Sequence, residues 1–459
     1  MTTLNDIVSL SKRRGFIFPG SEIYGGLANT YDFGPLGVEL LRNIQNYWWQ
    51  YFVTSRHDMF GLDSAILMSP RVWEASGHTA SFTDALIDCK ECQTRTRADH
   101  LIEDFFAEKG NAKKVEGLRE TDLTNLVTQE KIPCPKCGKS NWTNVRKFNL
   151  LFETSIGIVK EGESKAYLRG EIAQGMFVNF KNVLQSMRPK LPFGIAQSGK
   201  AFRNEITMGN FIFRTLEFNL AEFEYFFDPD KTKWEEIFAD WKKDMHAFAV
   251  SLGLPAGKLS WRTHSDEERS HYSSQTEDLD YAFPFGTKEM FGLAYRGDYD
   301  LKNHMEKSGE DLRYTDPADN AHKFIPHVVE PTFGLNRIFL AVLSESYQTD
   351  GERVYLKLPH FLAPYTLAVF PLLSNRPELV GKAKAIFDAL KGKFAVAWDD
   401  RGNIGKRYFA QDEIGTPFCV TVDFDTLDKD SVTVRFRDTA AQERVEVGKL
   451  AEYIAAKLT

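Results

Sequence analysis

Residues 202–226, FRNEITMGNFIFRTLEFNLAEFEYF, constrain the fold of this chain more than any other segment, because a stretch aromatic enough for a core carries several charges. Residues two apart in a strand share a face. Arg203 and Glu205 are therefore expected on one face of a first strand, and TMGN suits the loop to an antiparallel second strand. That strand would present on one face Phe218, Leu220, Glu222 and Glu224. Buried charges are costly unless they are paired or meet a ligand, so the hairpin predicts an internal ion-pair network or a ligand site.

The whole chain has the composition of a globular protein with a sizeable core. Its 459 residues predict more than one domain, and 42% hydrophobic with 26% charged residues exclude disorder. A net charge of −7 argues against nucleic-acid binding through a broad basic coat, so a polyanion would have to meet local patches. The N-terminus lacks the pattern of a signal peptide, and no apolar stretch has the length of a membrane span. Five cysteines, a sparse and odd number, favour a reducing cytoplasm over a disulfide scaffold.

Periodicity and turn residues predict the organisation along the chain. Helices are expected at residues 4–14, ending near Gly15, and at 36–52, 232–252 and 333–347. The region 148–226 is expected to be rich in strands, with further strands at 281–296 and 323–331. Residues 85–145 differ in character from their surroundings and are predicted to be an insertion into a larger domain.

A second type of pattern follows a boundary near KLPHFLAPY (357–365), where two prolines interrupt regular structure. Strands are expected at 366–373, 394–398, 418–424 and 431–437, and helices at 377–391, 406–413 and 448–457. This alternation is typical of an α/β domain with a mixed sheet.

Two CxxC pairs lie within the predicted insertion, Cys89/Cys92 and Cys134/Cys137. Two hairpin knuckles that each offer two thiolates complete a tetrahedral zinc site. The spacing between the pairs exceeds that of compact zinc ribbons, so four reduced thiols without metal remain the alternative. Cys419, within PFCVTVDF, is interpreted as a small core residue.

The segments FRNE and FRTLEFNLAEFEYF resemble motif 2 of class II aminoacyl-tRNA synthetases, and closely that of the dimeric glycyl-tRNA synthetases. Other segments resemble the same family in its order, across nearly the whole chain: GFIFPGSEIYGGLANTYDFGPLGVELLRNI (motif 1 region), RVWEASGHTASFTDALIDC, LFETSIG and LRGEIAQGMFVNFKNV (taken as strands before motif 2), HYSSQTEDLDYAFPFG, VVEPTFGLNRIFLAVL (motif 3), LAPYTLAVFPLLSN and DDRGNIGKRYFAQDEIGTPFCVTVDFD. The resemblance implies an α+β catalytic domain built on an antiparallel sheet (1–84 and 146–358), the inserted domain (85–145) and a C-terminal α/β anticodon-binding domain with a mixed sheet (362–459).

The resemblance also implies an activity, namely ATP-dependent activation of glycine and its transfer to the 3′ end of tRNA(Gly). Arg203 and Arg337 would be catalytic: Arg203 would bind the α-phosphate, and Arg337 would cover the adenine opposite Phe218. Glu289 would bind Mg²⁺ together with the ATP phosphates. The full ATP-binding set would be Arg203, Asn204, Glu205, Phe213, Arg214, Phe218, Glu289, Met290, Gly334 and Arg337.

The glycine site implied by the resemblance must hold two charged ends and leave no room at the α-carbon. Acidic side chains would bind the ammonium, arginines would lie near the carboxylate, and Thr332 would fill the place of a side chain. The set is Arg97, Glu171, Phe218, Glu222, Arg296, Glu330, Thr332 and Gly334. Three positions depart from the family pattern, namely Gly170 for Pro, Ile172 for Thr, and Thr332 for Ser; Gly170 is expected to loosen a strand.

Contacts with tRNA are implied for Arg401, Arg407 and Arg437 of the C-terminal domain. A cytoplasmic homodimer with no membrane association is expected, with an aromatic motif 1 surface to bury: Tyr47, Trp48, Trp49, Tyr51 and Phe52. Core packing within one subunit explains those rings equally well. Two other functions stay open: a class II synthetase for another small amino acid, and an inactive synthetase-like binding or regulatory subunit.

Overall fold

The computed structural model describes residues 2–111, 113, 115, 118–157, 164–205, 209–265, 269–270, 272–317 and 319–458. The helices are α1 (Leu4–Arg14), α2 (Pro35–Trp49), α3 (Pro70–Ala75), α4 (His78–Ser81), α5 (Ala98–Glu108), α6 (Glu120–Gln129), α7 (Ala173–Val178), α8 (Phe180–Met187), α9 (Trp234–Ser251), α10 (Tyr299–Ser308), α11 (Leu335–Ser346), α12 (Pro377–Leu390), α13 (Ile404–Glu413), α14 (Phe424–Lys429) and α15 (Leu450–Leu458).

The strands are β1 (Ile17–Pro19), β2 (Tyr31–Phe33), β3 (Met59–Gly61), β4 (Leu67–Met68), β5 (Thr83–Asp88), β6 (Arg95–Arg97), β7 (Arg146–Asn149), β8 (Glu153–Ile156), β9 (Ser164–Leu168), β10 (Phe193–Phe202), β11 (Glu217–Phe227), β12 (Leu259–Thr263), β13 (Gln275–Phe283), β14 (Gly286–Gly297), β15 (Tyr314–Asp316), β16 (Asp319–Phe324), β17 (His327–Gly334), β18 (Tyr347–Asp350), β19 (Arg353–Leu356), β20 (Leu367–Pro371), β21 (Val396–Trp398), β22 (Phe418–Val422), β23 (Ser431–Phe436) and β24 (Gln442–Glu446).

Helix α1 has the bounds that the sequence predicts. Thr3 caps its first turn by accepting from Asp6 N, and the Asp6 side chain accepts in return from Thr3 N. Gly15 ends the helix at φ 74°, a left-handed conformation that glycine adopts without a steric penalty.

A seven-stranded sheet forms the centre of the molecule, in the order β12-β13-β14-β17-β11-β10-β3. All neighbours are antiparallel except β3 and β10, which run parallel. One face packs on a helical layer formed by α2, α9 and α11. Helix α11 is almost completely buried there, as its apolar sequence predicts.

Strand β11 shows the alternation expected from the opening segment. Ala221, Phe223, Tyr225 and Phe227 enter the core beneath the helical layer. The residues between them point to the opposite face, which is the face that carries Glu222 and Glu224. The predicted partner strand ends earlier than expected: β10 stops at Phe202, so Arg203 and Glu205 lie just beyond the ladder. Residues 206–208, which include part of the predicted TMGN loop, lie outside the described residues.

One prediction of secondary structure is wrong, and two predicted strand regions are each divided into two strands. Residues 173–187 form α7 and α8 rather than strands, because Met176, Phe177, Phe180 and Val183 recur at helical spacing and pack together. The expected strand 281–296 is a hairpin of β13 and β14 that turns between Phe283 and Gly286. The expected strand 323–331 is interrupted, since β16 ends at Phe324 and β17 begins at His327.

Residues 83–149 form a separate unit. A three-stranded sheet, β6-β5-β7, packs with α5 and α6 around apolar side chains that include Ile87, Ile102, Leu123 and Trp142. This separate core supports the predicted insertion, whose boundaries stay a prediction.

The C-terminal part has its own core and a five-stranded sheet, β21-β20-β22-β23-β24. β20 runs parallel to β21 and β22, and β23 and β24 are antiparallel, so the predicted mixed sheet is confirmed. The sequence prediction missed α14 and β24. The capping box of Asp423 and Thr426, which starts α14, was a usable signal. No helix among the described residues has the length and apolarity to cross a bilayer.

Candidate active site

A cavity of about 380 Å³ lies where β11, β14 and β17 meet the first turn of α11. Its lining combines four arginines, two glutamates and two phenylalanines, so it suits a ligand with anionic groups and a flat ring. It is lined by Arg97, Leu150, Arg203, Glu205, Phe213, Arg214, Thr215, Phe218, Asn219, Leu220, Glu289, Met290, Thr332, Gly334, Asn336 and Arg337. Most of these were predicted as site residues; Leu150, Thr215, Asn219, Leu220 and Asn336 were not.

Arg203 enters this cavity from the end of β10. Its backbone N–H donates to Leu216 O at 3.0 Å, which continues the ladder by one residue, and its Nε donates to Gly170 O at 2.9 Å. The guanidinium lies between two rings, 5.2 Å from the centroid of Phe82 and 5.4 Å from that of Phe218. No carboxylate in the described part of the chain lies within ion-pair distance of it, so its charge remains available to an anion.

The Gly170 carbonyl that holds Arg203 belongs to a bend after β9, so the prediction that Gly170 loosens a strand is wrong. A Cβ at this position would lie 3.0 Å from Leu151 Cδ2 and 3.1 Å from Phe82 Cε1. The glycine therefore permits close packing beside Arg203.

Arg337 faces the cavity from α11. Its guanidinium lies 4.5 Å from the Phe213 centroid, and its Nη1 is 3.0 Å from both Glu289 Oε1 and Glu289 O. Burial opposes ionisation of Glu289, but the Arg337 charge outweighs it and lowers the pKa of Glu289. Asp280 lies directly opposite Glu289 in the β13–β14 ladder, so a carboxylate that the sequence prediction missed neighbours Glu289 outside the lining.

Of the remaining nucleotide-site predictions, all except Asn204 line the cavity: Glu205, Phe213, Arg214, Met290 and Gly334. Arg214 Nε lies 3.9 Å from Glu205 Oε2. Arg97 lies in the lining, with its guanidinium paired to Asp84 and Asp99. Asn204 donates its backbone N–H to Leu150 O at 2.8 Å and is absent from the lining.

An acidic cluster lies on the same face of the sheet, deeper than the lining. Glu222 is paired with Thr332 across β11 and β17, and Glu330 shares a face with Thr332 two residues away. Glu222 Oε2 accepts from Ile172 N at 3.2 Å. Glu171 approaches from the bend before α7, and all three glutamates are buried. The structure thus brings the predicted ammonium-binding carboxylates together behind Thr332.

Arg296 sits within this cluster with no exposed side-chain surface. Its Nη1 donates to both oxygens of Glu330 at 3.0 and 2.9 Å, and its Nε and Nη2 bind Asp300 at 2.8 and 2.9 Å. The predicted contact with the glycine carboxylate does not fit this geometry, because the guanidinium is buried among carboxylates. Arg296 is therefore placed to hold Glu330 and Asp300, whereas the four arginines that line the cavity are Arg97, Arg203, Arg214 and Arg337.

Sequence reasoning missed the residues that support the cluster from behind. Gln174 Nε2 donates to Glu171 Oε1 at 2.9 Å and to Asp300 Oδ1 at 2.8 Å. His78 Nε2 lies 3.2 Å from Glu171 Oε2, and His304 Nε2 lies 2.8 Å from Gln174 Oε1. Arg296 lies at the end of strand β14 and Asp300 at the start of helix α10, so their spacing in the sequence gave no signal of the contact.

The three glutamates differ in protonation because their partners differ. Burial and the neighbouring Glu330 raise the pKa of Glu222 well above its ordinary value. Burial raises the pKa of Glu330 to about 7, with Arg296 opposing the rise. Burial also acts on Glu171, but His78 and Arg296 outweigh it and lower its pKa. The cluster therefore holds protons near neutral pH that a bound cation would displace.

The four cysteines of the inserted unit converge. Cys89 Sγ lies 3.7 Å from Cys137 Sγ, and Cys92 Sγ lies 3.6 Å from Cys134 Sγ. All four sulfurs lie within 4.8 Å of one another. Tetrahedral zinc with Zn–S bonds of about 2.3 Å separates its sulfurs by about 3.8 Å, so the arrangement fits that ion.

The two knuckles that carry the thiols have matching backbones. Cys89 O accepts from Gln93 N at 2.9 Å, and Cys134 O accepts from Gly138 N at 2.8 Å. Gln93 and Gly138 both adopt positive φ, 57° and 71°.

Two of the three predicted tRNA-binding arginines are structural. Arg407 is buried, and its guanidinium donates to the carbonyls of Pro371, Asp400, Arg401 and Gly402. Arg437 is buried as well and donates to Gly415 O and Leu358 O. Burial of both guanidiniums argues against contact with a nucleotide through either side chain. Arg401 has 89% of its side chain exposed and stays a candidate.

The aromatic rings of α2 and the turn after it pack mainly within the subunit. Trp48 and Phe52 are fully buried and contact Phe223 and Phe333. Tyr47, Trp49 and Tyr51 are partly buried against the same core. The rings therefore do not form the large surface that was expected. The exposed apolar residues of the motif 1 region are Ile23, Tyr24 and Leu27, between β1 and β2.

Two families match parts of the chain, "Anticodon binding domain" at residues 366–457 and "Glycyl-tRNA synthetase insertion domain 1" at residues 110–150. The chain is 50% identical to the glycine–tRNA ligase of Caldanaerobacter subterraneus subsp. tengcongensis, covering 99% of this chain and 98% of that protein. It is 48% identical to the glycine–tRNA ligase of Clostridium acetobutylicum and 49% identical to that of Geobacillus thermodenitrificans, each over 99% of this chain. Those proteins are covered over 99% and 98% of their lengths.

Proposed function

This chain belongs to the glycine–tRNA ligase family, and we propose that the cavity between β11, β17 and α11 is where it activates glycine with ATP. The observation that carries the activity is identity of 46–50% with glycine–tRNA ligases over 99% of the chain. As a member of this family it is a ligase that forms glycyl-adenylate and transfers glycine to the 3′ end of tRNA(Gly). The assignment of its residues to that chemistry is our proposal.

In the activation step, a carboxylate oxygen of glycine attacks the α-phosphorus of ATP. The new C–O–P linkage forms as the bond to the β-phosphate oxygen breaks, and pyrophosphate leaves with that electron pair. No protein nucleophile is needed, so the protein contributes alignment and stabilisation of phosphate charge. Arg203 is suited to the α-phosphate because its planar guanidinium is held by Gly170 O and two rings and has no carboxylate partner among the described residues.

The adenine is proposed to lie between Phe218 and the pair formed by Phe213 and Arg337. A flat ring gains stacking from the phenylalanines and a cation–π contact from the guanidinium. Glu205, with the backbone beside it, would hold the adenine edge, and Arg214 would reach the outer phosphates. Met290 and Gly334 complete the lining of the proposed nucleotide site, and Asn204 lies outside it.

The nucleotide enters as its magnesium complex, and Glu289 is the proposed carboxylate ligand. Hard cations of this kind bind carboxylate and phosphate oxygens. Glu289 is already ionised through Arg337, and Asp280 lies opposite it in the ladder, which supports this assignment.

Glycine is proposed to bind with its ammonium against Glu222, Glu330 and Glu171 and its carboxylate towards Arg203 and Arg97. Thr332 lines the cavity beside its ladder partner Glu222, where it would meet the β-carbon of a larger amino acid. Packed atoms exclude a larger substrate more strongly than a pocket can reject a smaller one. This steric arrangement favours glycine over serine, threonine or proline.

In the transfer step, the 3′-terminal ribose hydroxyl of the tRNA attacks the carbonyl carbon of glycyl-adenylate. The ester bond forms, the C–O bond to the phosphate breaks, and AMP leaves. The hydroxyl proton can pass to the departing phosphate, so no protein base is required. The domain matched as an anticodon-binding domain is proposed to contact the anticodon loop, with exposed Arg401 as one contact.

We further propose a structural zinc ion at Cys89, Cys92, Cys134 and Cys137. All four positions are thiols, as in closed structural sites, and no open ligand position faces the active site. The ion would stabilise the inserted unit without entering catalysis.

A homodimer in the cytoplasm is proposed as the working form. Exposed Ile23, Tyr24 and Leu27 give the motif 1 region an apolar tip that a second copy could cover. All five cysteines carry free thiols, which supports a reducing compartment. Sedimentation of the active protein as a stable monomer would contradict the dimer.

One assay tests the function against its alternatives. ATP–pyrophosphate exchange, measured with each of the twenty amino acids, should depend on glycine alone, and glycine should then be transferred to tRNA(Gly). Exchange with another small amino acid would identify a different synthetase. No exchange at all would identify an inactive binding subunit, although Arg203, Glu289 and Arg337 all line the cavity.

A further inference from the structure

Glu224 is a buried carboxyl group that the proposed mechanism does not use. It is fully buried in β11 on the same face as Glu222, two residues away. Neither of its oxygens has a hydrogen-bond partner among the described residues. The register that pairs Glu222 with Thr332 and Tyr225 with Val329 places Glu224 opposite Glu330. An unpartnered carboxyl at this depth needs an explanation, because burying it in the ionised form without a partner would cost roughly several kcal/mol.

The surroundings of Glu224 are rich in negative charge. Glu222 lies on its own strand, Glu330 on β17, Arg296 on β14 and Asp300 on α10, and these are the charged groups that act on it. The residue opposite it in β10, Ile195, is uncharged, and so is Gln197, which lies opposite Glu222. Arg296 is the one cation in this set, and its N–H groups are already bound to Asp300 and Glu330. Burial, followed by the charge of Glu330, holds the pKa of Glu224 well above its ordinary value. The neutral form of Glu224 is therefore favoured, and in that form the side chain carries an O–H donor.

We propose that Glu224 is a positioning residue of the glycine site, a neutral carboxylic acid whose O–H donates to the Glu330 carboxylate opposite it. This inference rests on the proposed function. Side chains directly opposite in an antiparallel pair have Cβ atoms about 5 Å apart, so a side-chain rotation brings the two carboxyl groups into contact. Arg296 binds Glu330 from one side, and the Glu224 O–H would fix it from a second side.

The neutrality of Glu224 matters for the charge of the site. Glycine brings one ammonium, and each additional ionised carboxylate in the cluster adds repulsion that one ammonium cannot balance. A neutral acid orients Glu330 without adding charge. Two alternative roles for Glu224 predict different glycine KM values in its variants. In one, an ionised Glu224 attracts the ammonium, and in the other, its buried side chain has no effect on glycine binding.

Two substitutions separate these roles. Glu224→Gln keeps the size and an N–H donor but cannot ionise, and Glu224→Met keeps the length and removes the donor. In glycine-dependent ATP–pyrophosphate exchange, we expect Glu224→Met to raise the glycine KM about 10- to 100-fold, the effect of losing a hydrogen bond to a charged group. The ATP KM should change less than about twofold. Glu224→Gln should preserve glycine binding, with a glycine KM at least about tenfold below that of Glu224→Met.

Equal increases in the two variants would overturn the proposal, because charge rather than the donor would be the cause. Unchanged KM in the Met variant would overturn it as well. If Glu224→Met does not fold, the pH dependence of the glycine KM in Glu224→Gln tests the proposal instead. The same midpoint as in the parent protein supports a Glu224 that stays protonated. A shift of the midpoint by about one pH unit overturns the proposal. Glu222→Gln distinguishes failure of the proposed glycine site from failure of the inference about Glu224. If it leaves the glycine KM unchanged, the proposed glycine site itself has failed; if it raises the KM and Glu224→Met does not, only this inference has failed.

Discussion

Arg296 binds both carboxylate oxygens of Glu330 through one nitrogen, Nη1, at 3.0 and 2.9 Å, and uses its other nitrogens to hold Asp300. A guanidinium buried in this way stabilises a carboxylate without meeting the substrate itself. Glu330 keeps a pKa of about 7 in spite of that contact, because it is buried beside other carboxylates. The acidic cluster is therefore held in place by one cation and remains short of positive charge, which is the condition a bound ammonium would relieve.

The pH dependence of glycine binding follows from Glu330. Its pKa of about 7 lies above the ordinary value of 4.5, so the empty site is increasingly protonated below about pH 7. Because the ammonium binds the ionised form, the glycine KM should fall as the pH rises from about 6 to about 8. Exchange kinetics across this range check it, with the ATP KM as the internal control. The free energy of unfolding without ligand should also fall, from about pH 5 to 7, because the folded chain keeps a proton that the unfolded chain loses. Rising pH should thus strengthen glycine binding while it lowers the stability of the empty protein. A glycine KM that rises with pH over this range would contradict the assignment.

Arg203→Lys should lower kcat for glycine-dependent exchange by about 100-fold or more, the usual cost of losing one contact that stabilises transition-state charge. Lysine keeps the charge but lacks the planar fork. Thermal melting should be nearly unchanged, since the side chain donates one structural hydrogen bond, to Gly170 O. Arg401→Lys, in the C-terminal domain, is the matched control and should leave exchange unaltered. A kcat for Arg203→Lys within about threefold of the parent would remove Arg203 from its proposed role.

Thr332→Ala should admit alanine. The substitution removes a methyl and a hydroxyl from the cavity wall beside Glu222, and a methyl-sized space is worth about tenfold or more in discrimination. We expect kcat/KM for alanine, relative to glycine, to rise about tenfold in exchange assays. Thr332→Ser should keep the discrimination of the parent, because serine is the residue usual in the family. If the ratio stays constant in the alanine variant, another residue excludes the β-carbon.

The thiol cluster should contain about one zinc ion per chain, detectable by elemental analysis of protein purified without chelator. Cys89→Ser should lose the metal and lower the melting temperature while exchange at low temperature persists, since the cluster lies outside the cavity. Cys419→Ala, in a different core, should keep the metal. Protein that carries no zinc would leave four reduced thiols as the correct interpretation.

Substitutions of Arg407 and of Arg401 should affect different properties, stability in the first case and tRNA binding in the second. Arg407→Met removes the donor to four backbone carbonyls and should destabilise the chain by about 3 kcal/mol. Below its melting temperature the variant should keep the parental KM for tRNA. Arg401→Ala should raise the tRNA KM about two- to fivefold with no change in melting temperature. Binding defects in Arg407→Met without loss of stability would restore the original prediction for that residue.

Local patterns were sufficient wherever neighbours along the chain decide the structure. The periodicity of residues 4–14 and the glycine at 15 predicted the bounds of α1, and the apolar run at 333–347 predicted the buried helix α11. The alternation in residues 217–227 gave the two faces of β11. Most residues that line the cavity were predicted because they lie in continuous segments that resemble motifs of the family.

What only the tertiary structure decided is which charges face a ligand and which face each other. Arg203 and Arg407 look alike in sequence, yet one guanidinium opens into a cavity and the other is surrounded by carbonyls from distant turns. The acidic cluster is supported by Gln174, His78 and Asp300. The contact between Gln174 and Asp300 joins residues more than a hundred positions apart in the sequence. The physical reason is that burial and pairing of a charge depend on the atoms around it in space, and a sequence specifies only those beside it along the chain.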